Sequence, residues 1–300
     1  MRLNDLNLNM LVYLDALLSE RNVSKAADRV HLTQSAMSLA LRRLRDHFHD
    51  EILRKVGKTM VPTPLALSLV QPLQNVLIQI QSIVSSRDNF DPAKSNRKIT
   101  MTGSDFTMDL LLKKVLPKLS RIAPGIRIDY VALSGSRDEE FMQGRIDLLV
   151  LPDVYAIEGH PSEPLLTAEF ACVVWSKNAL VRDSISFEQY TQMGHVCVKL
   201  GDWRRGTYKE QWFLEHYGDI RRIEVEVPSF ALAVQLVSGT QRIATCHIQH
   251  ARMYARQYSL RILAPPFNIP PSRLRLQWHK HMDGDPALMW FRGVLKEAVE

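Results

Sequence analysis

The chain has 300 residues, 46% hydrophobic and 23% charged, an ordinary globular composition with room for two domains and their cores. No apolar run approaches the ~18 residues of a membrane span, so no spanning helix and no membrane partner are expected. The formal charge of +6 is mild, but residues 1–90 carry 11 Lys/Arg against 8 Asp/Glu, so half of the excess sits in under a third of the chain. There it clusters at Arg42, Arg43, Arg45, Arg54, Lys55 and Lys58, and a local cluster can neutralise phosphates even in a weakly basic protein. The N-terminal MRLNDLNLN lacks an apolar signal core. Cys172, Cys197 and Cys246 lie far apart with no C-x-x-C, as expected of reduced thiols in a cytoplasmic protein.

Residues 7–20 place Leu8, Leu11, Leu14, Leu17 and Leu18 on one helical stripe, with Asn7 as N-cap and Arg21-Asn22 as the close. A second helix restarts at Val23-Ser24, with Ser24 as its cap. Its small Ala26 and Ala27 admit a close neighbour. His31-Leu32 make a turn, and Thr33 caps a third helix, Gln34–Phe48. Met37, Leu41, Leu44 and Phe48 form its buried stripe. Its other face carries Gln34, Ser35, Ser38, Leu39, Arg42, Arg43 and Arg45. Gln and Ser at a helix start can reach base edges, and Arg one or two turns on can reach guanine or phosphate. Ile52–Val56 and Thr59–Val61 read as a two-stranded wing joined at Gly57-Lys58. Its Arg54, Lys55 and Lys58 would hold the DNA backbone and fix position without reading sequence.

These residues resemble the LysR-type transcriptional regulators. The resemblance runs through A-A-x-x-V-x-L-T-Q-S-A-M-S at Ala26–Ser38, L-R-R-L-R at Leu41–Arg45 and V-P-T-P at Val61–Pro64, over some 60 residues. Where many members carry polar or basic residues in mid-helix, this chain has Leu39-Ala40, which moves readout toward the N-terminal turn and leaves Leu39 for a thymine methyl. The DNA-contact set is Ser24, Thr33, Gln34, Ser35, Ser38, Leu39, Arg42 and Arg43 with Arg54, Lys55 and Lys58 of the wing.

Thr63 then caps a long, nearly uncharged helix over 63–87, with Pro64 at its first position and Pro72 as an interior bend. Leu65, Leu69, Leu73, Leu77, Ile80 and Val84 form an apolar seam. A core helix of the same domain would bury it; the family resemblance implies instead a dimerisation helix. Residues 88–97 are polar and form a hinge.

From residue 98 strands and helices alternate, as in α/β folds with a mostly parallel sheet. Two lobes are expected, 98–168 with 267–300 and 169–264, joined by two crossovers with a ligand cleft between them. G-R-I-D-L-L-V at Gly144–Val150, V-P-S-F at Val227–Phe230, G-T-Q-R-I-A-T at Gly239–Thr245 and D-P-A-L-M-W-F-R at Asp285–Arg292 resemble LysR-type sensor domains. They are most similar to the branch holding the nodulation and naphthalene/salicylate regulators. The whole is thus expected to be an α+β multidomain chain. Residues 1–62 form a winged helix-turn-helix, then comes the dimerisation helix, and then a two-lobed sensor domain like the periplasmic binding proteins.

The strand ends nominate Ser104, Phe106, Lys199, Ser229, Thr245 and His247 as effector contacts. Related regulators carry His where this chain has Ser229, which suggests a different ligand or a more spacious pocket. No phosphate-binding loop, zinc-protease motif or nucleophile elbow is present, so no enzyme and no cofactor are expected. Cys246-His247-x-x-His250 has metal-ligating side chains, but adjacent ligands close a tetrahedron poorly and no second cluster completes it, so no metal is expected either. His279-Lys280-His281 reads as an exposed strand end. The resemblance implies a regulator of promoter DNA that responds to a small aromatic inducer, works as a homodimer or homotetramer, acts as an activator and engages RNA polymerase. The alternatives are a redox-sensing regulator using its cysteines, or a solute-binding or enzymatic α/β module.

Overall fold

The computed structural model describes residues 7–57, 59–85, 90–200 and 207–299, with the backbone alone at 81, 82, 84 and 85. The chain divides into two compact units, one carrying Met1–Ser86 and one carrying Arg87–Phe141 and Arg145–Glu300.

In the first unit, α1 (Leu8–Glu20) is capped by the Asn7 side chain and closed by Arg21 in the left-handed region, φ 47°. The turn leaves no slack, because Asn22 already caps α2 (Val23–Arg29), accepting from the Lys25 amide at 3.0 Å. Ser24 therefore lies inside α2 and is not its cap. The following Thr33 caps α3 (Gln34–Phe48), accepting from the Ala36 amide at 3.2 Å. Leu14, Leu17, Ala26, Ala27, Met37, Leu41 and Leu44 form one buried core, and alanines at the α1–α2 crossing allow the close approach. Arg29 clasps Asp15 at 2.8 Å.

The wing strands β1 (Leu53–Val56) and β2 (Thr59–Pro62) pair antiparallel, Val56 opposite Thr59. Gly57 turns the hairpin at φ +62°, in space that a Cβ would leave open. Arg45, read in the sequence with the basic face, instead braces the wing: its guanidinium donates to the Glu51 and Leu53 carbonyls at 2.8 and 2.7 Å. Between them Asp50 accepts from the Ile52 amide and the Thr63 hydroxyl, both at 2.6 Å. These contacts hold Ile52 at φ 59°, a conformation that β-branched residues otherwise avoid.

Helix α4 (Pro64–Ser85) follows, with Pro72 inside it. Of the apolar seam, Leu73 is buried in the α1–α3 core, and Leu69 and Leu77 pack against it. Leu65, Val76 and Ile83 stay 39%, 41% and 74% exposed. Ile80 is half-buried, and the Val84 side chain lies outside the described residues.

The second unit contains two five-stranded mixed sheets. The first orders β4 (Arg127–Ala132), β3 (Lys98–Gly103), β5 (Leu148–Pro152), β12 (Ser272–Trp278) and β6 (Ser162–Ala168). The second orders β11 (Leu260–Leu263), β7 (Phe170–Trp175), β10 (Ile243–His247), β8 (Gly194–Val198) and β9 (Arg222–Val227). Each sheet pairs its strands half in parallel and half antiparallel, because one strand in each, β12 in the first and β7 in the second, runs against the other four. Strand β6, absent from the sequence reading, contains Pro164 and lies at a sheet edge, where a missing N–H is tolerated.

The helices are α5 (Asp105–Ile122), α6 (Arg137–Met142), α7 (Phe187–Gln192), α8 (Tyr208–Tyr217), α9 (Phe230–Val237), α10 (Ile248–Tyr254) and α11 (Pro286–Glu297). The D-P-A-L motif proves to be a buried staple. Asp285 caps α11 through the Leu288 amide at 2.9 Å and also receives the Arg97 guanidinium from the start of β3. His279 is buried against Phe141 and His160, not at an exposed strand end; burial first, then the neighbouring His160, His281 and Lys280, hold its imidazole down to about 4. Among the described residues no helix is long and apolar enough to cross a membrane.

Candidate functional site

The first unit presents the outer face of α3 and the wing. Gln34, Ser35, Ser38, Arg42 and Arg43 are all exposed, and Leu39 is 47% exposed between them. Burial of Met37, Leu41 and Leu44 forces this outcome, since it points the intervening positions away from the core. Thr33 lies at the helix start with its hydroxyl 3.0 Å from that of Ser35, and Ser24 is exposed on the first turn of α2. On β1, Arg54 and Lys55 are exposed. Arg42, Arg43, Arg54 and Lys55 enter no ion pair among the described residues, while Arg29 and Arg45 are committed to intrachain contacts. Lys58 lies outside the described residues. A capped helix with polar and cationic side chains, flanked by a cationic hairpin, has the chemistry of a major-groove reader.

The second unit contains a cleft between its lobes enclosing about 480 Å³ of unfilled space, mouth included. Ser104 follows β3, Leu151 and Pro152 end β5, and His247 ends β10. The cleft thus lies outside the carboxyl ends of strands, the usual ligand position in open α/β sheets. Tyr155, Phe170, Tyr208 and Phe230 make much of its wall aromatic. Ser104 also caps α5, accepting from the Thr107 amide at 3.3 Å.

Of the six sequence candidates, Ser104 and His247 line this cleft and four lie elsewhere. Phe106 is fully buried behind the wall and stacks on His247, ring centroids 4.1 Å apart. Ser229 caps α9 and donates to Asp105 at 3.0 Å. Thr245 is buried in β10, 3.0 Å from the Tyr190 hydroxyl and 3.6 Å from the Cys172 sulfur. Lys199 sits on the exposed surface beside Glu226 at 3.3 Å.

The first turn of α8 supplies what the sequence did not suggest. Thr207, Tyr208 and Lys209 all line the cleft. Lys209 is 4% exposed and pairs with Glu210, which also receives Arg221. Burial raises the Glu210 carboxyl, but Lys209 and Arg221 more than reverse this and hold it at about 2. Burial lowers His247 first, and His250 and Lys209 add to it, leaving that imidazole at about 3 and neutral. The Nδ1 atom of His247 is buried with no partner among the described residues.

A second contact joins the lobes beside the cleft. Asp105, from α5 of the first lobe, accepts from the Phe230 and Ala231 amides at 3.0 and 2.8 Å. Those amides are orphan donors at the start of α9, so one lobe's carboxylate completes the other lobe's helix. Tyr254 of α10 repeats the connection, donating to Asp109 at 2.7 Å.

All three cysteines are free and buried. Burial pushes the thiols of Cys172 and Cys246 up to about 12 and that of Cys197 to about 11. Such groups hold almost no thiolate at neutral pH, the opposite of what a reactive sensor cysteine needs. No group of three or more metal-ligating side chains occurs among the described residues.

Residues 8–67 match the bacterial regulatory helix-turn-helix proteins of the lysR family, and residues 93–300 match the LysR substrate binding domain. The chain is 38% identical over 295 residues to nodulation protein D 1 of Rhizobium tropici, covering 98% of this chain and 96% of the relative. A solved structure of a probable transcriptional regulator from Pseudomonas aeruginosa superposes with a TM-score of 0.66 at 29% identity, over 98% of both chains. A solved structure of full-length OxyR from Pseudomonas aeruginosa, carrying a single substitution, shares the fold, with a TM-score of 0.73 at 16% identity over 98% of this chain and 94% of that one.

Proposed function

The chain belongs to the LysR family of transcriptional regulators, and from that premise we propose that a small aromatic effector, bound in the sensor cleft, sets how paired copies of its DNA-binding unit engage promoter DNA. The observation that carries this reading is the aromatic cleft at the strand ends of a sensor unit on the same chain as a helix whose cationic face is free. Gln34, Ser35, Ser38 and Arg42 read base edges, with Leu39 against a thymine methyl. Arg43, Arg54, Lys55 and Lys58 hold phosphates.

Copies pair through the exposed stripe of α4, Leu65, Val76 and Ile83, with Ile80 beside them, while Leu69, Leu73 and Leu77 serve their own domain's core. Two such pairs make a homotetramer, and the effector acts by binding one lobe arrangement better than another. RNA polymerase is the proposed downstream partner and the cytoplasm the proposed compartment.

DNase footprinting on the regulated promoter, with and without phenolic and flavonoid-like compounds, tests the reading. A footprint whose length or hypersensitive sites change with an aromatic compound supports it, and one that responds to none of them contradicts it. Arg42→Ala should weaken binding to the specific site by about ten- to a hundredfold, the scale of one lost base contact. Non-specific binding should fall less. A gel shift with competitor DNA reports the ratio, and an unchanged ratio removes Arg42 from base readout.

A further inference from the structure

We infer that the sensor cleft is built to take an anionic oxygen, carboxylate or acidic phenolate, on the Lys209 ammonium, so that its effector is a flat aromatic acid. The inference rests on the cleft being the effector site, and three observations carry it further.

First, the charges do not balance. Lys209 and Arg221 are both buried and share the single carboxylate of Glu210. Two cations against one anion leave an excess positive charge among the described buried residues of this lobe. An unbalanced charge away from water is costly, and an anion entering beside Lys209 relieves that cost.

Second, the groups in and beside the cleft do not compete for that role. Asp105 is occupied at the α9 amides and the Ser229 hydroxyl. His247 is neutral, so it neither supplies a second positive charge nor repels a proton donor. Its buried, unpartnered Nδ1 is a hydrogen-bonding group still to be satisfied, and Ser104 offers a hydroxyl in the same cleft.

Third, apart from the hydroxyls of Thr207 and Ser272, the rest of the lining is apolar or aromatic, with Tyr155, Phe170, Tyr208 and Phe230 prominent. Such a wall favours a ring and excludes water, which strengthens the one charged contact. A fully apolar ligand would fill the space but leave the excess positive charge unbalanced and the His247 Nδ1 unmatched. A dianion would bring one charge more than the excess can neutralise.

Isothermal titration calorimetry on the full-length protein tests this. The probes are benzoate, cinnamate and 2-naphthoate, each against its methyl ester, and 4-nitrophenolate against 4-nitroanisole. At least one acid should bind about ten- to a hundredfold tighter than its ester, as expected for a charged hydrogen bond. The carboxylate and phenolate pairs show which anion the cleft accepts. Lys209→Met should erase the difference within a pair while ester binding persists.

Leu133→Trp, which fills the cleft from the rim, should abolish binding of acid and ester alike. Acids and esters binding equally to the wild type, and both lost in Leu133→Trp, overturn the anion assignment and leave the cleft as the effector site. Acid binding that survives Leu133→Trp overturns the cleft itself. Failure of every acid to bind at millimolar concentration also overturns the anion assignment. The wild-type acid and ester pairs decide the question even if Lys209→Met does not fold.

Discussion

Glu210→Gln is expected to cost the sensor unit about 3–5 kcal/mol, the range for removing one partner of a buried ion pair. The Glu210 carboxylate receives both Lys209 and Arg221, whose side chains are 4% and 2% exposed. An amide offers one acceptor oxygen and no charge, so two cations remain in an apolar setting. The wild-type protein should also show the origin of the effect through pH. Its Glu210 sits at about 2 in the folded state against an ordinary 4.5, so the carboxylate contributes fully above pH 4.5. That contribution drains away as pH falls from 4.5 toward 2, and the Gln variant lacks this slope. Urea unfolding at neutral pH and at pH 3–4 measures both. A loss under about 1 kcal/mol, the scale of an exposed pair, would mean that water reaches the trio.

Asp105→Ala is expected to cost about 2–4 kcal/mol and to loosen the two lobes together. The carboxylate accepts from the Ser229 hydroxyl and from two amides in the first turn of α9. Bonds to a charged group contribute about 1.5–3 kcal/mol each and are not additive. The anion also faces the positive end of the α9 dipole. Its loss strands donors that no neighbouring helical carbonyl can reach. Hydrogen exchange gives the local signature: amides of Phe230 and Ala231 should exchange faster while α3 in the DNA-binding unit stays unchanged. Asp105→Asn keeps one acceptor oxygen and should fall between. Unaltered protection at Phe230 and Ala231 would show that α9 is held by other contacts.

Much of this architecture could be read from the residues, and the reason is local. The span Gln34–Phe48 is legible to the residue, because the Thr33 cap and the Met37, Leu41, Leu44 stripe act within one helix. Ser24 misled because Asn22, two residues earlier, offers an equally good cap and leaves only Arg21 and Asn22 itself between the helices. The α4 seam was only half separable: Leu69, Leu73 and Leu77 lie next to the Leu65, Val76 stripe on the helix surface. Only the fold shows which stripe meets the chain's own core.

The cleft divides in the same way. Ser104 and His247 were visible as polar residues at strand ends. Lys209 was not. A lysine shortly after Trp203-Arg204-Arg205 reads as a solvated surface charge, and its burial depends on Glu210 meeting an arginine 11 residues on. A pairing at that separation leaves no periodicity. Lys199 made the opposite error possible, being a strand-end cation that lies outside the cleft.

The three cysteines give this protein a clock that runs in one place only. All of them fall between residues 172 and 246, in the strands of the second sheet, and all are shut away from solvent as protonated thiols. A maleimide or disulfide reagent in the bath therefore waits for that lobe to open before it can react. The speed of its uptake times the opening of the second lobe alone, since the DNA-binding unit has no thiol to add. Followed with and without a bound aromatic acid, that uptake would report how tightly the effector keeps the lobe shut, in the unmodified chain and without any engineered label.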